Sequence, residues 1–253
     1  MNTYDTTKFE ADLEKLGITL TKEQIDQFLK YYELLIEWNG FMNLTAITEY
    51  DEVMQKHFVD SLSLCKVFQK NDSKNNITKF DLSKKISVID VGTGAGFPGI
   101  PLKIAFPNLQ ITLLDSLNKR VKFLNEVISA LGLEGIQAVH GRAEDFARQK
   151  DYREHFDLCV SRAVANLSTL TEYCIPFVKE KSLFICYKSE KLEEEKAKAS
   201  KALRILGGTI VDEISFNLPD SDIFRNLLVI SKQKKTPERF PRKAGLPAKE
   251  PIS

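Results

Sequence analysis

What the sequence has little of narrows the possibilities first. Its 253 residues include four cysteines, Cys65, Cys159, Cys174 and Cys186, widely spaced, with no CxxC pair and no nearby histidine that would complete a zinc ligand set. That pattern argues against a disulfide framework and supplies no metal ligand set, so no metal is expected. Three of the four sit inside apolar runs, where a thiol packs as a small core residue. No apolar stretch exceeds strand length; Ile86 to Val91 and Leu183 to Tyr187 are typical. The start, Met1-Asn2-Thr3-Tyr4-Asp5, lacks the basic and apolar regions of a signal peptide. A cytoplasmic protein with no membrane partner is therefore expected. Excess charge is also missing, since the formal net charge is +1, which argues against holding nucleic acid by an overall basic surface. The charge is uneven, however: residues 1–60 are acidic, whereas Lys66 to Lys85 and Lys232 to Ser253 are basic. A polyanionic partner would have to approach the basic side.

What is present divides into four stretches: a helical region over 1–70, a polar connector over 71–85, an α/β domain over 86–235 and a basic, proline-containing tail over 236–253. In the first, Thr21-Lys22-Glu23-Gln24 fits a capping box, and Ile25, Phe28, Leu29, Tyr32, Leu35 and Ile36 follow at helical spacing up to Trp38. A shorter helix is expected over Lys8 to Lys15, and two more over Glu49 to His57 and Ser61 to Phe68. From Ile86 onward, short β-branched runs alternate with helical segments, the pattern of parallel βα units. Strands are expected over Ile86 to Val91, Gln110 to Asp115, Ile136 to Val139, Phe156 to Ser161 and Ser182 to Lys188. The helices between them are expected over Pro98 to Phe106, Asn118 to Leu131, Leu167 to Phe177 and Lys191 to Leu206. Two last strands, Thr209 to Phe216 and Leu227 to Lys232, lack an intervening helix and should pair antiparallel. The tail reads as extended chain.

Asp90-Val91-Gly92-Thr93-Gly94-Ala95-Gly96-Phe97-Pro98-Gly99 stands between a strand and a helix. Glycines there let the chain turn sharply and let a ligand approach the main chain. Gly94 to Gly99 also matches the dinucleotide spacing GxGxxG, so the glycines alone leave nicotinamide dinucleotide open. Asp90 tilts the balance towards S-adenosylmethionine, because an acid at the strand end suits a cationic amino-acid group and repels a pyrophosphate. Asp115, at the tip of the next strand, can accept from both ribose hydroxyls, as it would for either cofactor. Glu144-Asp145, after the third strand, can accept from the adenine amine. An NAD-dependent oxidoreductase and a non-catalytic ribosome-binding protein remain the competing classes.

The acceptor is narrowed by what the fourth strand carries. Ser161-Arg162-Ala163 replaces the Asn/Asp-Pro-Pro-aromatic turn used on exocyclic base amines, and no cysteine is placed to attack a pyrimidine ring. Guanine N7 needs neither, because its lone pair carries no proton. Arg162 and Lys188 follow strands on the same sheet edge as the glycine loop. Lys119 and Arg120 open a helix, where phosphate contacts are plausible. His57 and Asp60 share a face if their segment is helical. Trp38 and Tyr31-Tyr32 are expected to pack the N-terminal helix.

Trp38-Asn39, Asn43-Leu44-Thr45, His57 with Asp60-Ser61-Leu62, the loop Asp90 to Pro101, Asp115-Ser116-Leu117 with Lys119-Arg120, Ser161-Arg162-Ala163 and Phe240 to Gly245 together resemble the RsmG (GidB) family. The resemblance runs in order over nearly the whole chain. It implies an α/β, Rossmann-like S-adenosylmethionine-dependent methyltransferase sheet with helices on both faces, an antiparallel terminal strand and a helical N-terminal extension. It further implies N7 methylation of a guanine in the decoding-region loop of 16S ribosomal RNA, on the small ribosomal subunit, by a protein expected to be a monomer. By that resemblance Gly92, Phe97, Ala143, Glu144 and Arg162 contact the methyl donor. Asp90, Gly94, Gly96, Asp115 and Ser116 complete the expected donor set. Asn43, His57, Asp60, Arg162 and Lys188 are the expected positioning residues, and Lys119, Arg120, Arg242 and Lys243 the expected RNA contacts.

Overall fold

The computed structural model describes residues 4–69, 80–162, 165–189 and 192–252. α1 (Thr7–Lys15) leads into α2 (Lys22–Met42), which begins with both halves of the capping box. The Gln24 amide donates to the Thr21 hydroxyl at 3.2 Å, and the Thr21 amide donates to the Gln24 side chain at 2.8 Å. Gln24 also donates to the Ile104 carbonyl at 2.7 Å, so the cap docks this helix onto the α/β part. The helix expected over Ser61 to Phe68 is split by a turn at its third and fourth residues, while the one expected over Glu49 to His57 runs on as one rod: α3 (Tyr50–Val53), a π-helical turn (Met54–Val59) and α4 (Asp60–Leu62). No glycine or proline falls in residues 50–62 to break it. α5 (Cys65–Gln69) follows. Most of the polar connector lies outside the described residues; where the chain re-enters, Phe80 packs on Phe68 with ring centroids 6.0 Å apart.

Seven strands form one sheet: β1 (Ser87–Val91), β2 (Gln110–Asp115), β3 (Ile136–His140), β4 (Phe156–Ser161), β5 (Val178–Lys188), β6 (Gly208–Asn217) and β7 (Phe224–Lys232). The spatial order is β3-β2-β1-β4-β5-β7-β6. β1 to β5 run parallel, and β7 inserts antiparallel between β5 and β6. The connections carry α6 (Gly99–Ala105), α7 (Asn118–Ala130), α8 (Ala143–Phe146), α9 (Leu167–Cys174) and α10 (Glu193–Leu206).

Successive strand residues point to opposite faces, and here both faces are apolar. Val88, Leu113, Val160 and Ile185 share one core with Phe28, Tyr31 and Phe58 of the N-terminal helices and with α6 and α7. Ile89, Leu114, Cys159 and Phe184 join the other core, with α9 and α10. The helical N-terminal region is thus a layer on one face of the sheet. All four cysteines are free and buried. The tail departs from the extended chain expected: it turns back, buries Phe240 and Pro247, and forms α11 (Leu246–Lys249). Strand order reverses between β1 and β4, the place where open α/β sheets take their ligands at the carboxyl ends of the strands.

Candidate active site

The glycine turn after β1 has the backbone its composition demands. Gly92, Gly94 and Gly96 have φ of 72°, 63° and 98°, in the region that favours glycine. At Gly96 a Cβ would stand 2.6 Å from both the Tyr31 hydroxyl and Ile100 Cδ1, so a side chain is excluded by space as well. Tyr31 donates its hydroxyl to the Ala95 carbonyl, bringing α2 directly onto the turn. Burial pushes its phenol pKa well up, which keeps the proton on that donor.

Around the turn stand acids and an arginine at consecutive strand ends. Asp90 is wholly buried; its Oδ2 accepts from the Thr93 hydroxyl at 2.6 Å and from the Gly99 amide at 2.9 Å. Desolvation raises its pKa to about 6, against the pull of those two donors and of Arg162. Its Oδ1 is buried without a hydrogen-bond partner. Asp115 accepts from the Gly94 amide and from the Leu117 amide, each at 2.9 Å, and thereby ties the turn to the end of β2. Ser116 beside it is exposed. Glu144, in α8, is 5% exposed, and its Oε1 accepts from the Gly245 amide at 2.8 Å, so one oxygen expected to face a ligand is committed to the tail. Ala143 precedes it, half-buried.

Phe97 links the turn to a second cluster. The His57 ring stacks on it at 4.5 Å between centroids and 18° between planes, and the Arg162 guanidinium lies 5.1 Å from its centre. Arg162 donates to Asp60 Oδ2 at 3.0 Å, while Arg225 donates to Asp60 Oδ1 at 2.9 Å. His57 approaches Arg162 through Nδ1 at 3.5 Å and the Thr45 hydroxyl through Nε2 at 2.8 Å. Burial first, and Arg162 second, lower its pKa to about 3, so the ring is neutral at pH 7. His57, Asp60, Arg162, Lys188 and Arg225 line one cleft of about 1030 Å³, together with Ile47 and the acidic start of α10. A neutral imidazole beside two guanidinium groups that share one carboxylate makes a polar wall suited to orienting a ligand, with no group poised as a strong base.

Other expected residues fall differently. Lys188 reaches this cleft and is held by the Ala165 carbonyl and Glu195, each at 2.8 Å. Asn43 does not join it: the residue is exposed and ends α2 with φ of 50°, a conformation asparagine tolerates better than most residues. Lys119 is exposed, donating to the Met42 carbonyl at 3.5 Å, while Arg120 is paired with Asp115 at 3.4 Å. Arg242 is paired within the protein. Its Nε and Nη2 clasp Glu172, a fully buried carboxylate that requires a cation. Lys243 is exposed.

With this geometry in place, comparison with known proteins is informative. The family model for GidB, rRNA small subunit methyltransferase G, matches residues 24–217. The chain belongs to that family. It is 53% identical over 248 residues to the ribosomal RNA small subunit methyltransferase G of Lachnoclostridium phytofermentans, a match covering 98% of each chain. With the methyltransferase G of Bacillus licheniformis it shares 48% identity over 245 residues, 97% of this chain and 98% of that relative. Among solved structures, that of MtNAS in complex with MTA and tNA has a TM-score of 0.51 at 14% identity, covering 83% of this chain and 71% of that one, a likeness of fold.

In this member of the methyltransferase G family, two contributors went unread in the sequence. Arg225 enters from β7, 165 residues from the Asp60 it bonds. Tyr31 packs the N-terminal helix as its position implies, and its hydroxyl also anchors the glycine turn. Arg225 lies two residues before the strand expected from Leu227, where the sequence carries no signal for its role; none existed for that of the Tyr31 hydroxyl.

Proposed function

We propose that this chain transfers a methyl group from S-adenosylmethionine to N7 of a guanine in the decoding-region loop of 16S ribosomal RNA. The observation that carries the proposal is the positive-φ glycine turn ringed by Asp90, Asp115, Glu144 and Arg162 at the carboxyl ends of four neighbouring strands, in a chain of the methyltransferase G family.

The residues present fit the donor. Gly92, Gly94 and Gly96 leave the main chain open, with Phe97 at the end of the turn. Asp115 and Ser116 suit the ribose, and Ala143 with the second Glu144 oxygen suits the adenine. The unpartnered Oδ1 of Asp90 suits the cationic amino-acid end, directly or through water. S-adenosylmethionine would supply an activated methyl group on a sulfonium. Guanine N7 brings a lone pair and no proton, so alignment matters more than acid–base help. Methylated guanine is cationic, and a cation aimed at N7 would oppose the reaction. The cleft goes some way to meet this demand: Asp60 offsets one of the two charges of Arg162 and Arg225, the acids Glu193 to Glu195 line the same cleft, and His57 adds no charge. Lys119 and Lys243, both exposed, can reach phosphates. The protein works as a monomer in the cytoplasm, where ribosomes are assembled.

Calorimetry with S-adenosylhomocysteine and with NAD tests the donor, and tritiated donor with unmodified small subunits tests the acceptor. Binding of the homocysteine product with label entering 16S RNA is expected. Binding of NAD alone, or label in protein, would overturn the proposal.

A further inference from the structure

The tail is fastened by far more than a solvated terminus requires. Phe240 is 7% exposed and belongs to the core beneath α9 and α10. Arg153 donates to the Thr236 and Phe240 carbonyls at 2.7 and 2.8 Å, and Arg148 donates to the Pro241 carbonyl. Buried Glu172 then accepts from the Arg242 amide at 2.7 Å and from its guanidinium at 2.7 to 3.1 Å. Beyond α11's start, Thr169 donates to the Pro247 carbonyl at 3.0 Å and Ser168 to the Ile252 carbonyl at 2.8 Å. Between these fixings lies one contact of a different kind, the Gly245 amide on Glu144 at 2.8 Å.

We propose that the tail is a wall of the donor pocket, in which Gly245 positions the Glu144 carboxylate and the Arg242–Glu172 clasp keeps Gly245 within reach. The proposal rests on the assignment of Glu144 to donor binding. The Glu144 side chain sits on a four-residue helix, and fixing one of its oxygens through a backbone amide restricts its rotamers before any ligand arrives. Such preorganisation raises affinity by removing an ordering cost. It also explains why a cation of the basic tail is spent internally: Arg242 acts on the donor side through Gly245, and its charge is already matched by Glu172.

Gly245 offers a clean test. Its φ of 84° is left-handed, yet a Cβ there would meet nothing nearer than Arg142 Nη1 at 3.7 Å. Gly245→Ala therefore acts on backbone conformation without a clash or an orphaned buried charge, and Gly245→Asn restores tolerance of that conformation. With the full chain, Gly245→Ala should let the tail of the free protein relax away from Glu144, so that re-forming the contact on binding weakens S-adenosylhomocysteine affinity by calorimetry up to about fivefold, the equivalent of ~1 kcal/mol of left-handed strain. Gly245→Asn should return affinity towards wild type, and affinity for 16S RNA should not change in either. Unchanged S-adenosylhomocysteine affinity in Gly245→Ala, alongside a loss in Glu144→Ala, would overturn the role of the tail. A lowered melting temperature of the ligand-free Gly245→Ala protein with donor affinity intact would do the same, marking a merely structural contact. Unchanged affinity in Glu144→Ala would instead overturn the donor assignment beneath it.

Discussion

Asp60 and Arg162 meet at 3.0 Å, carboxylate oxygen to guanidinium nitrogen, with the Asp60 side chain 4% exposed. Because Arg225 occupies the other oxygen at 2.9 Å, one buried anion is shared by two cations at the mouth of the cleft. Asp60→Asn keeps the shape and removes the charge. Breaking a buried pair from one side should cost about 3 kcal/mol in urea denaturation, and the freed guanidinium groups should depress single-turnover methyl transfer. Wild-type stability and rate in this variant would show that the two arginines do not depend on Asp60.

His57 gives a pH prediction with a definite sign. Its pKa is depressed from 6.5 to about 3, so the unfolded chain binds a proton that the folded ring refuses across that interval. The contribution is whole above pH 6.5 and drains away as pH falls, by up to ~1.4 kcal/mol per pH unit. His57→Gln should make acid destabilisation shallower in denaturation curves taken between pH 4 and 7. The pH profile of methyl transfer should show no step from this ring near 6.5; a step abolished by His57→Gln would contradict a neutral His57.

Tyr31→Phe removes the donor to Ala95 and leaves that carbonyl buried without it. A stability loss of about 1–2 kcal/mol is expected, with weaker S-adenosylhomocysteine binding, because the turn loses its anchor to α2. Calorimetry and thermal melting measure both. Undiminished donor affinity would mean that the turn holds its shape without α2.

The βα alternation, the antiparallel end of the sheet and the capping box at Thr21 were legible because each depends on neighbours in sequence. Periodicity within a run of residues sets which face a strand or helix buries, and the alternation of Val88 and Ile89 between the two cores follows from it. The strand–glycine–helix order likewise placed Asp90 and Asp115 at the sheet edge. Long-range pairings carry no such signature. Arg225 meets Asp60 only because β7 reverses direction beside β5, and Arg242 meets Glu172 only because the tail folds back over α9. Composition made the tail look like solvated basic chain; Phe240 and the carbonyls taken by Arg148 and Arg153 hold it down. Asn43 resembled a site residue, and its visible work is to end a helix.

The same distinction separates the basic residues. Lys119→Ala with Lys243→Ala should lower affinity for 16S RNA and reduce the slope of log affinity against log salt by about two. Arg242→Ala should leave that slope alone, since its charge is already held by Glu172. Filter binding over a salt series checks both, and a slope change in the Arg242 variant would return that residue to the RNA surface.

The chemistry itself is tested most directly by mapping the methyl group. After incubation of unmodified small subunits with the protein and S-adenosylmethionine, borohydride reduction and aniline treatment cleave 16S RNA wherever guanine carries an N7 methyl group. A single new cleavage at a guanine of the decoding-region loop, absent with Arg162→Ala, is the predicted result. An RNA that takes up label but is not cleaved, or cleavage at many guanines, would contradict it.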